Sequence, residues 1–245
     1  MLPKIHKPGV TGRPIISGCN SPTANLSRYI DHYLKPIVRN ISSYIQDTTH
    51  FLRILKEYDG KVPSEALLVT FDVKSLYTNI PTDLGIEYTL QALLGFYRDN
   101  IPLKIQYIEQ ILIFILKKNY FEFNENFYLQ LMGTAMGSSF APNYANIFMD
   151  RVEQQILTTA PENNKPLIWK RYIDDIYVIW TKGEEALCAF HDHMNSLYDT
   201  IQFEMSSSKE KIAFLDTMTI LDTKGSITTT LYKKPTDVCS LLHAE

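Results

Sequence analysis

The 245-residue chain lacks the long apolar run that a membrane-spanning helix needs, since no stretch approaches 18 consecutive apolar residues. Its first residues, MLPKIHKPG, lack the apolar centre of a secretory signal peptide. Three scattered cysteines without a CxxC pair argue against a disulfide framework and against a zinc site. No internal repeat, low-complexity tract or long linker divides the chain. We expect one large domain or two small ones, in a reducing intracellular compartment.

The formal net charge is only −3, but it is unevenly spread. Residues 1–56 hold eight Lys or Arg against two Asp, a net of +6, which leaves −9 for the rest of the chain. A basic leading segment joined to an acidic body indicates polyanion contact at one end and cation chemistry at the other. A chance fluctuation in charge is the alternative.

The order of predicted elements favours an α+β fold. Helices are predicted at 22–34, 47–58, 82–97, 105–118, 140–157 and 184–198. Strands are predicted at 66–73, 167–171, 176–181, 201–205, 212–220 and 226–233, with a hairpin at 120–131. Pro36 is expected to end or kink the first helix, and Thr82 to cap the third. This order is typical of an antiparallel sheet with helices on one face.

The stretch RYIDDIYVIW (171–180) places two carboxylates, Asp174 and Asp175, between two apolar, β-prone runs. A buried carboxylate without compensation is costly, so the pair is predicted at the tip of a hairpin. Asp72 ends another buried strand, and one Asp of the pair meets Asp72 if the two strands are neighbours. Clustered carboxylates need a cation, and Mg²⁺ prefers such oxygen ligands. The alternative is a surface turn with two solvated Asp residues.

Five segments in order resemble the motifs of reverse transcriptases. They are LPKIHKPGVTGRPI (2–15), FDVKSLYTNIP (71–81), LMGTAMGSSFAPNYANIFM (131–149), YIDD (172–175) and FLDTMTI (214–220). The amino-acid sequences of these segments are most similar to those of Penelope-like retroelements. Two positions depart from the pattern: Ser139 stands where many relatives carry Pro, and Met136 where many other reverse transcriptases carry Gln.

The resemblance implies a right-hand polymerase, an α+β fold of fingers and palm with an antiparallel palm sheet backed by helices. Residues 1–66 would form a fingers portion, 67–225 the palm with the catalytic motifs, and 226–245 the start of a truncated thumb. Together they would be a single reverse transcriptase domain. We expect a fragment of a longer protein, with low processivity because most of the thumb is missing.

The resemblance also implies a catalytic centre. Asp72, Asp174 and Asp175 would hold two Mg²⁺ ions, with Mn²⁺ as a substitute. The alternative for Asp175 is that it only tunes the electric field of the site. Tyr77, five residues after Asp72, stands where such enzymes carry the steric gate that excludes a 2′-hydroxyl. Ordinary packing is the alternative for Tyr77. Lys209 or Lys211 would protonate the pyrophosphate leaving group, unless SSSKEK is only a polar loop.

Other residues would bind substrates in this interpretation. The dNTP-binding set is Lys4, Arg13, Tyr77, Met136 and Gly137. The primer- and template-binding set is Ser138, Asn143, Phe214, Leu215 and Lys233. Gly133, Gly137 and Ser138 would let the backbone approach the nucleotide. Asn143 and Asn146 would contact the template or brace the metal site, or only pack at a helix N-terminus. Asp216 is expected in an apolar strand, where it supports the fold; a third metal ligand is the alternative.

The implied function is an RNA-directed DNA polymerase of a retrotransposon, which extends a primer on an RNA or DNA template with dNTPs. The resemblance alone places it in the nucleus. One alternative is a decayed remnant that only binds nucleic acid. A less favoured alternative is an RNA-dependent RNA polymerase, which shares the palm but would carry a small or polar residue at Tyr77. No membrane partner is expected.

Overall fold

The computed structural model describes residues 2–3, 12–13, 21–101, 103–161 and 164–233. The helices in these ranges are α1 (Ala24–Arg39), α2 (Thr48–Tyr58), α3 (Leu76–Asn79), α4 (Thr82–Tyr97), α5 (Ile105–Lys117), α6 (Ala141–Thr159) and α7 (Glu184–Ser196). The strands are β1 (Leu2–Pro3), β2 (Gly12–Arg13), β3 (Leu67–Val73), β4 (Tyr120–Phe123), β5 (Asn126–Leu129), β6 (Ile168–Tyr172), β7 (Asp175–Trp180), β8 (Phe203–Ser208), β9 (Lys211–Phe214), β10 (Thr217–Leu221) and β11 (Ile227–Leu231).

The central sheet has four strands in the order β6-β7-β3-β8, and every neighbouring pair is antiparallel. Strand β3 therefore lies inside the sheet, between β7 and β8. The predicted α+β class, with an antiparallel sheet backed by helices, is confirmed. Two further antiparallel pairs, β1–β2 and β4–β5, form separate two-stranded sheets.

Both faces of the central sheet are buried, which explains why β3 is apolar almost throughout. Alternate side chains of a strand point to opposite faces. Val69 and Phe71 belong to a cluster that contains residues of α1 and α4–α7, whereas Leu68 belongs to a second cluster with residues of α2 and β9–β11. A strand covered on both sides reads as a continuous apolar run, as LLV does at the start of β3.

A three-stranded sheet, β11-β10-β9, lies over the central sheet and differs from the prediction at one element. Instead of one strand over 212–220, the chain forms β9 and β10, which pair with each other around a turn at Leu215 and Asp216. Leu215 has a φ of 52°, a left-handed conformation that breaks a strand. Asp216 is thus exposed in a turn rather than placed in a strand. Strand β11 pairs with β10, so this three-stranded sheet crosses the predicted boundary at residue 225.

Two helix boundaries also differ from expectation. Pro36 lies inside α1, which continues to Arg39, because Ile37 and Val38 beyond it are buried in the core and their packing outweighs the missing hydrogen bond. Thr82 is the first helical residue of α4, and Pro81 occupies the cap position. Among the helices of the described ranges, none has the length and apolar character to cross a membrane.

Candidate active site

One Asp of the predicted pair, Asp175, lies opposite Asp72 at one end of the central sheet. Asp72 of β3 is the direct cross-strand partner of Asp175, the first residue of β7. Directly opposed residues of antiparallel strands share one face, with Cβ atoms about 4.5–5.5 Å apart. The N–H of Val73 donates to the carbonyl oxygen of Asp174 at 3.0 Å, which fixes the backbone of the second Asp beside the same strand end.

The hairpin between β6 and β7 has a two-residue loop, Ile173 and Asp174. The φ of Ile173 is 54°, an outlier for a β-branched residue. Such a conformation costs on the order of 1–3 kcal/mol and persists only where surrounding contacts hold it. A hairpin was predicted here with Asp174 and Asp175 as its tip, but the loop lies one residue earlier, and Asp175 begins β7 because it pairs with Asp72. The strained conformation of Ile173 was not predicted.

The acidic row is longer than the sequence indicated. Glu204 of β8 is the cross-strand partner of Asp72 on the side away from Asp175. Its carboxylate pairs with Lys74, at a nitrogen–oxygen distance of 3.4 Å. Nothing in the local sequence marks Glu204, because its position beside Asp72 depends on the register between two strands that lie far apart in the chain.

The chemistry of the two opposed carboxylates, Asp72 and Asp175, fits Mg²⁺. Across the described part of the chain, no group of three or more His, Cys, Asp or Glu forms a ready-made metal site. Asp72 and Asp175 instead oppose each other directly, and like charges in this position repel unless a cation neutralises them. Mg²⁺ is usually held by one or two carboxylates together with substrate phosphates, which matches this pair.

Tyr77 lies beside the acidic end of the sheet, on the short helix α3 that follows β3. The pKa of the Tyr77 phenol is raised to about 12, first by burial and then by the nearby Asp174 and Tyr172. The phenol therefore senses the charge of Asp174 and remains neutral at physiological pH. Tyr77, the predicted steric gate, thus lies close to Asp174, and its role as a gate stays a prediction.

The loop before α6 packs directly against the segment that carries Tyr77. The N–H of Thr134 donates to the carbonyl oxygen of Tyr77 at 2.7 Å. Gly133 has a φ of +75°, and a Cβ atom there would lie 2.2 Å from the same oxygen. Gly133 is thus required by an approach to the protein's own backbone, whereas we expected an approach to the nucleotide.

A cavity of about 400 Å³ opens beside this loop. Gly137 and Ser138 line it, together with the start of α1 and the end of α5. The hydroxyls of Ser138 and Ser27 are 3.2 Å apart, and Asn143 donates to the carboxylate of Asp31 at 2.6 Å. These bonds join α1 to the loop and to α6. Met136 lies in the same loop and is half-buried.

The predicted triphosphate-binding residues lie at the N-terminus. Lys4 is outside the described residues, and Arg13 is described only as part of β2. The antiparallel pairing of Leu2 with Arg13 agrees with the expected basic hairpin.

The predicted primer-binding residues differ in exposure. Phe214 is 4% exposed and packs against Phe51 and Tyr177, with ring centroids 4.7 and 5.4 Å away. Its side chain serves the core, so a direct primer contact by Phe214 is not supported. Leu215 is half-buried in the turn, and Lys233 is exposed after β11. Both remain accessible for the predicted contacts.

The two lysines considered as proton donors lie far from the acidic cluster. Ser208, next to Lys209, is the partner of Leu68, at the opposite end of β3 from Asp72. Four residues of strand separate these ends by about 13 Å. Lys209 pairs with Glu184 at 2.9 Å, and Lys211 begins β9 at the same end. The geometry favours the polar-loop interpretation over the catalytic one.

Comparison with known proteins gives the family. A family model described as reverse transcriptase (RNA-dependent DNA polymerase) matches residues 5–233. The chain belongs to the reverse transcriptase family. No curated protein sequence is a significant match to it.

Solved structures with this reverse transcriptase fold include telomerases and a viral polymerase. Apo telomerase from Candida tropicalis, truncated from the C-terminal domain, has a TM-score of 0.63 and 12% identity, over 84% of this chain and 45% of that one. Telomerase from Candida albicans, in complex with a fragment of telomeric RNA, has a TM-score of 0.64 and 11% identity, over 83% and 38%. BmCPV RNA-dependent RNA polymerase at the elongation state has a TM-score of 0.60 and 12% identity, over 87% and 21%. The present chain thus matches less than half of each of these proteins.

Proposed function

We propose that this reverse transcriptase chain is an RNA-directed DNA polymerase that extends a primer 3′-hydroxyl with dNTPs. The observation that carries the proposal is the pairing of Asp72 with Asp175, with Asp174 in the adjoining turn and Tyr77 close to it. The proposed template is RNA or DNA. Membership of the reverse transcriptase family supports polymerase activity. The geometry of the site supports a catalytic centre at Asp72 and Asp175.

Asp72, Asp174 and Asp175 are the proposed ligands of two Mg²⁺ ions, which Mn²⁺ replaces. Bound Mg²⁺ would lower the pKa of the primer hydroxyl and neutralise phosphate charge. The three carboxylates are half-buried, so water is partly displaced where they would meet the phosphates. The register adds weight to Asp175, because it opposes Asp72 directly while Asp174 occupies the turn.

The remaining residues would bind and select the substrates. Tyr77 is proposed to exclude the 2′-hydroxyl by a steric clash. Lys4 and Arg13 are proposed to bind the triphosphate, and the loop containing Met136 and Gly137 to face the nucleotide. The proposed primer and template contacts are Ser138, Asn143, Leu215 and Lys233. Since contacts of Lys and Arg with phosphates are ionic and release counterions, binding should weaken as salt increases.

The proposal also covers the type of element that encodes the chain, its cellular compartment and the limits of the fingers and palm. The wording of the motifs supports a Penelope-like retrotransposon, whose polymerase would act in the nucleus. The proposed fingers comprise residues 1–66 and the palm begins at residue 67. The pairing of β11 with β10 supports a palm that extends to about residue 231 rather than 225.

Primer extension on an RNA template with Mg²⁺ and dNTPs tests the proposal. The wild-type chain should incorporate nucleotides, and Asp174→Asn should reduce incorporation by at least about 100-fold, since the site loses a charge that neutralises the metal. The matched control is Asp192→Asn, which removes an exposed carboxylate on α7. Equal incorporation by wild type and Asp174→Asn would exclude the proposed catalytic centre.

The fold similarity to an RNA-dependent RNA polymerase supports a second candidate, RNA synthesis. The two candidates differ in the sugar that they accept. Parallel reactions with dNTPs or rNTPs distinguish them, because Tyr77 should favour the former. Binding of primer–template without incorporation of either would instead identify a remnant that only binds nucleic acid.

A further inference from the structure

Arg171, the first residue of RYIDD, is fully buried, with 0% of its surface exposed. Side chains alternate along β6, so Arg171 faces the helices while Tyr172 faces the other side of the sheet. A buried guanidinium is unfavourable unless every donor finds an acceptor. The acceptors that surround Arg171 therefore indicate its role.

Glu153 of α6 compensates the charge. Its Oε1 accepts from Nε of Arg171 at 2.8 Å and from the indole of Trp169 at 2.7 Å. Its Oε2 accepts from the hydroxyl of Ser43 at 2.6 Å. The backbone of Ser43 also accepts from the N–H of Arg171 at 2.7 Å. The ion pair thus joins α6, β6 and the segment after α1.

The other end of the guanidinium reaches the catalytic turn. One Nη atom of Arg171 donates to the carbonyl oxygen of Ile173 at 3.1 Å and to the side-chain oxygen of Asn146 at 2.6 Å. The second Nη donates to the backbone oxygen of Asn146 at 3.1 Å. Asn146 is itself 3% exposed, so its side chain braces this network rather than contacting a template.

Ile173 is the residue whose left-handed φ of 54° strains the loop before Asp174 and Asp175. A strained conformation persists only where its surroundings over-determine it. The hydrogen bond from Arg171 to the carbonyl of Ile173 supplies such a constraint from the buried side. The bond from Val73 to the carbonyl of Asp174 supplies another from β3.

We propose that Arg171, anchored by Glu153 and Asn146, is a positioning residue that holds the Ile173–Asp174 loop in its strained conformation and so places the metal-binding carboxylates. The role of the carboxylates rests on the proposed function. Arg171 does not contact substrate. It links α6, which follows the nucleotide-facing loop, to the turn that carries the catalytic charge.

The test compares Arg171→Met with the conservative Arg171→Lys. Loss of a residue that orients metal ligands typically costs roughly 10- to 100-fold in activity. We expect Arg171→Met to lose kcat in that range with KM for dNTP little changed, and Arg171→Lys to recover part of it. Hydrogen exchange at the Val73 amide should be faster in Arg171→Met than in wild type, by more than any change in global stability explains. The reason is that its acceptor, the carbonyl of Asp174, lies in the released loop.

Arg151→Lys is the matched control, since Arg151 bonds to Gln154 at the surface of the same helix α6. It should change neither kcat nor exchange at Val73. If Arg171→Met fails to fold, Asn146→Ala provides the test, because it leaves the Arg171–Glu153 pair intact while removing one anchor of the guanidinium. A folded variant with unchanged kcat and unchanged Val73 exchange would overturn the inference.

The two proposals fail in different ways. If Asp174→Asn matches wild type, the polymerase proposal fails, and exchange at Val73 still reports whether Arg171 holds the loop. If Asp174→Asn is inactive while Arg171→Met keeps full kcat and slow exchange, only the positioning role is lost. If Arg171→Met and Arg171→Lys lose thermal stability without any change in kcat, Arg171 is a structural residue only.

Discussion

The backbone of Gly133 passes so close to Tyr77 that a Cβ atom would lie 2.2 Å from the carbonyl oxygen of Tyr77. The glycine also has a φ of +75°, which disfavours any other residue. Gly133→Ala should therefore destabilise the protein by more than the roughly 1–2 kcal/mol that a left-handed residue costs. It should also displace Tyr77 and weaken the selection of dNTPs over rNTPs.

Gly60 provides the control for this prediction. Its φ is +69°, but a Cβ atom added to it would meet no atom within 4 Å beyond its own chain neighbours. Gly60→Ala thus measures backbone strain without the close contact. Denaturant unfolding gives the two stability losses, and primer extension gives the selectivity. Equal losses in both variants, with unchanged selectivity, would show that the contact with Tyr77 has no role.

The acidic cluster shows how far the sequence could lead. Asp174 and Asp175 between apolar runs predicted a hairpin tip, and the pairing with a strand ending in Asp72 is confirmed by the register. Which Asp opposes Asp72 could not be predicted, since a shift of one residue reverses the faces of a strand. For the same reason Glu204 could not be placed beside Asp72.

Contacts distant in sequence account for what was missed. Arg171 and Glu153 look like ordinary charged residues of a strand and a helix, yet both are almost completely buried and paired at 2.8 Å. Gly133 was expected to let the backbone approach the nucleotide, but the neighbour that leaves no room for a Cβ atom is the protein's own backbone at Tyr77. The prediction of one strand over 212–220 was wrong because an alternating apolar pattern does not indicate that Leu215 adopts a left-handed conformation.

Tyr77→Val should allow rNTPs to be incorporated, because removal of the ring leaves space for a 2′-hydroxyl. We expect the preference for dNTPs to fall by roughly tenfold or more, comparable to the change of a few methylene groups in a pocket. Tyr77→Phe keeps the ring and should preserve the preference. Steady-state kcat/KM for a matched dNTP and rNTP gives the ratio, and an unchanged ratio in Tyr77→Val would exclude Tyr77 as the gate.

The pKa of the Tyr77 phenol should be about 12, well above the ordinary tyrosine pKa of about 10. A raised folded-state pKa contributes stability that is complete below the ordinary tyrosine pKa of about 10 and lost as pH rises through about 12. The tyrosinate absorbance difference between wild type and Tyr77→Phe should therefore stay near zero up to about pH 11. Asp174→Asn should lower this pKa, but keep it raised because burial is the larger cause. An unaltered titration in Asp174→Asn would contradict the proximity of the two side chains.

Phe214, the last residue of β9, and Leu215, in the turn that follows, should separate packing from primer binding. Phe214 is 4% exposed between Phe51 and Tyr177, so Phe214→Ala should cost about 3–5 kcal/mol of unfolding free energy. Leu215→Ala should cost less than about 1 kcal/mol, since Leu215 is only half-buried. If the turn grips the primer, Leu215→Ala should weaken primer–template affinity while the fold is retained. Urea unfolding and fluorescence anisotropy give the two quantities, and an affinity loss confined to Phe214→Ala would place the effect in the core rather than at the turn.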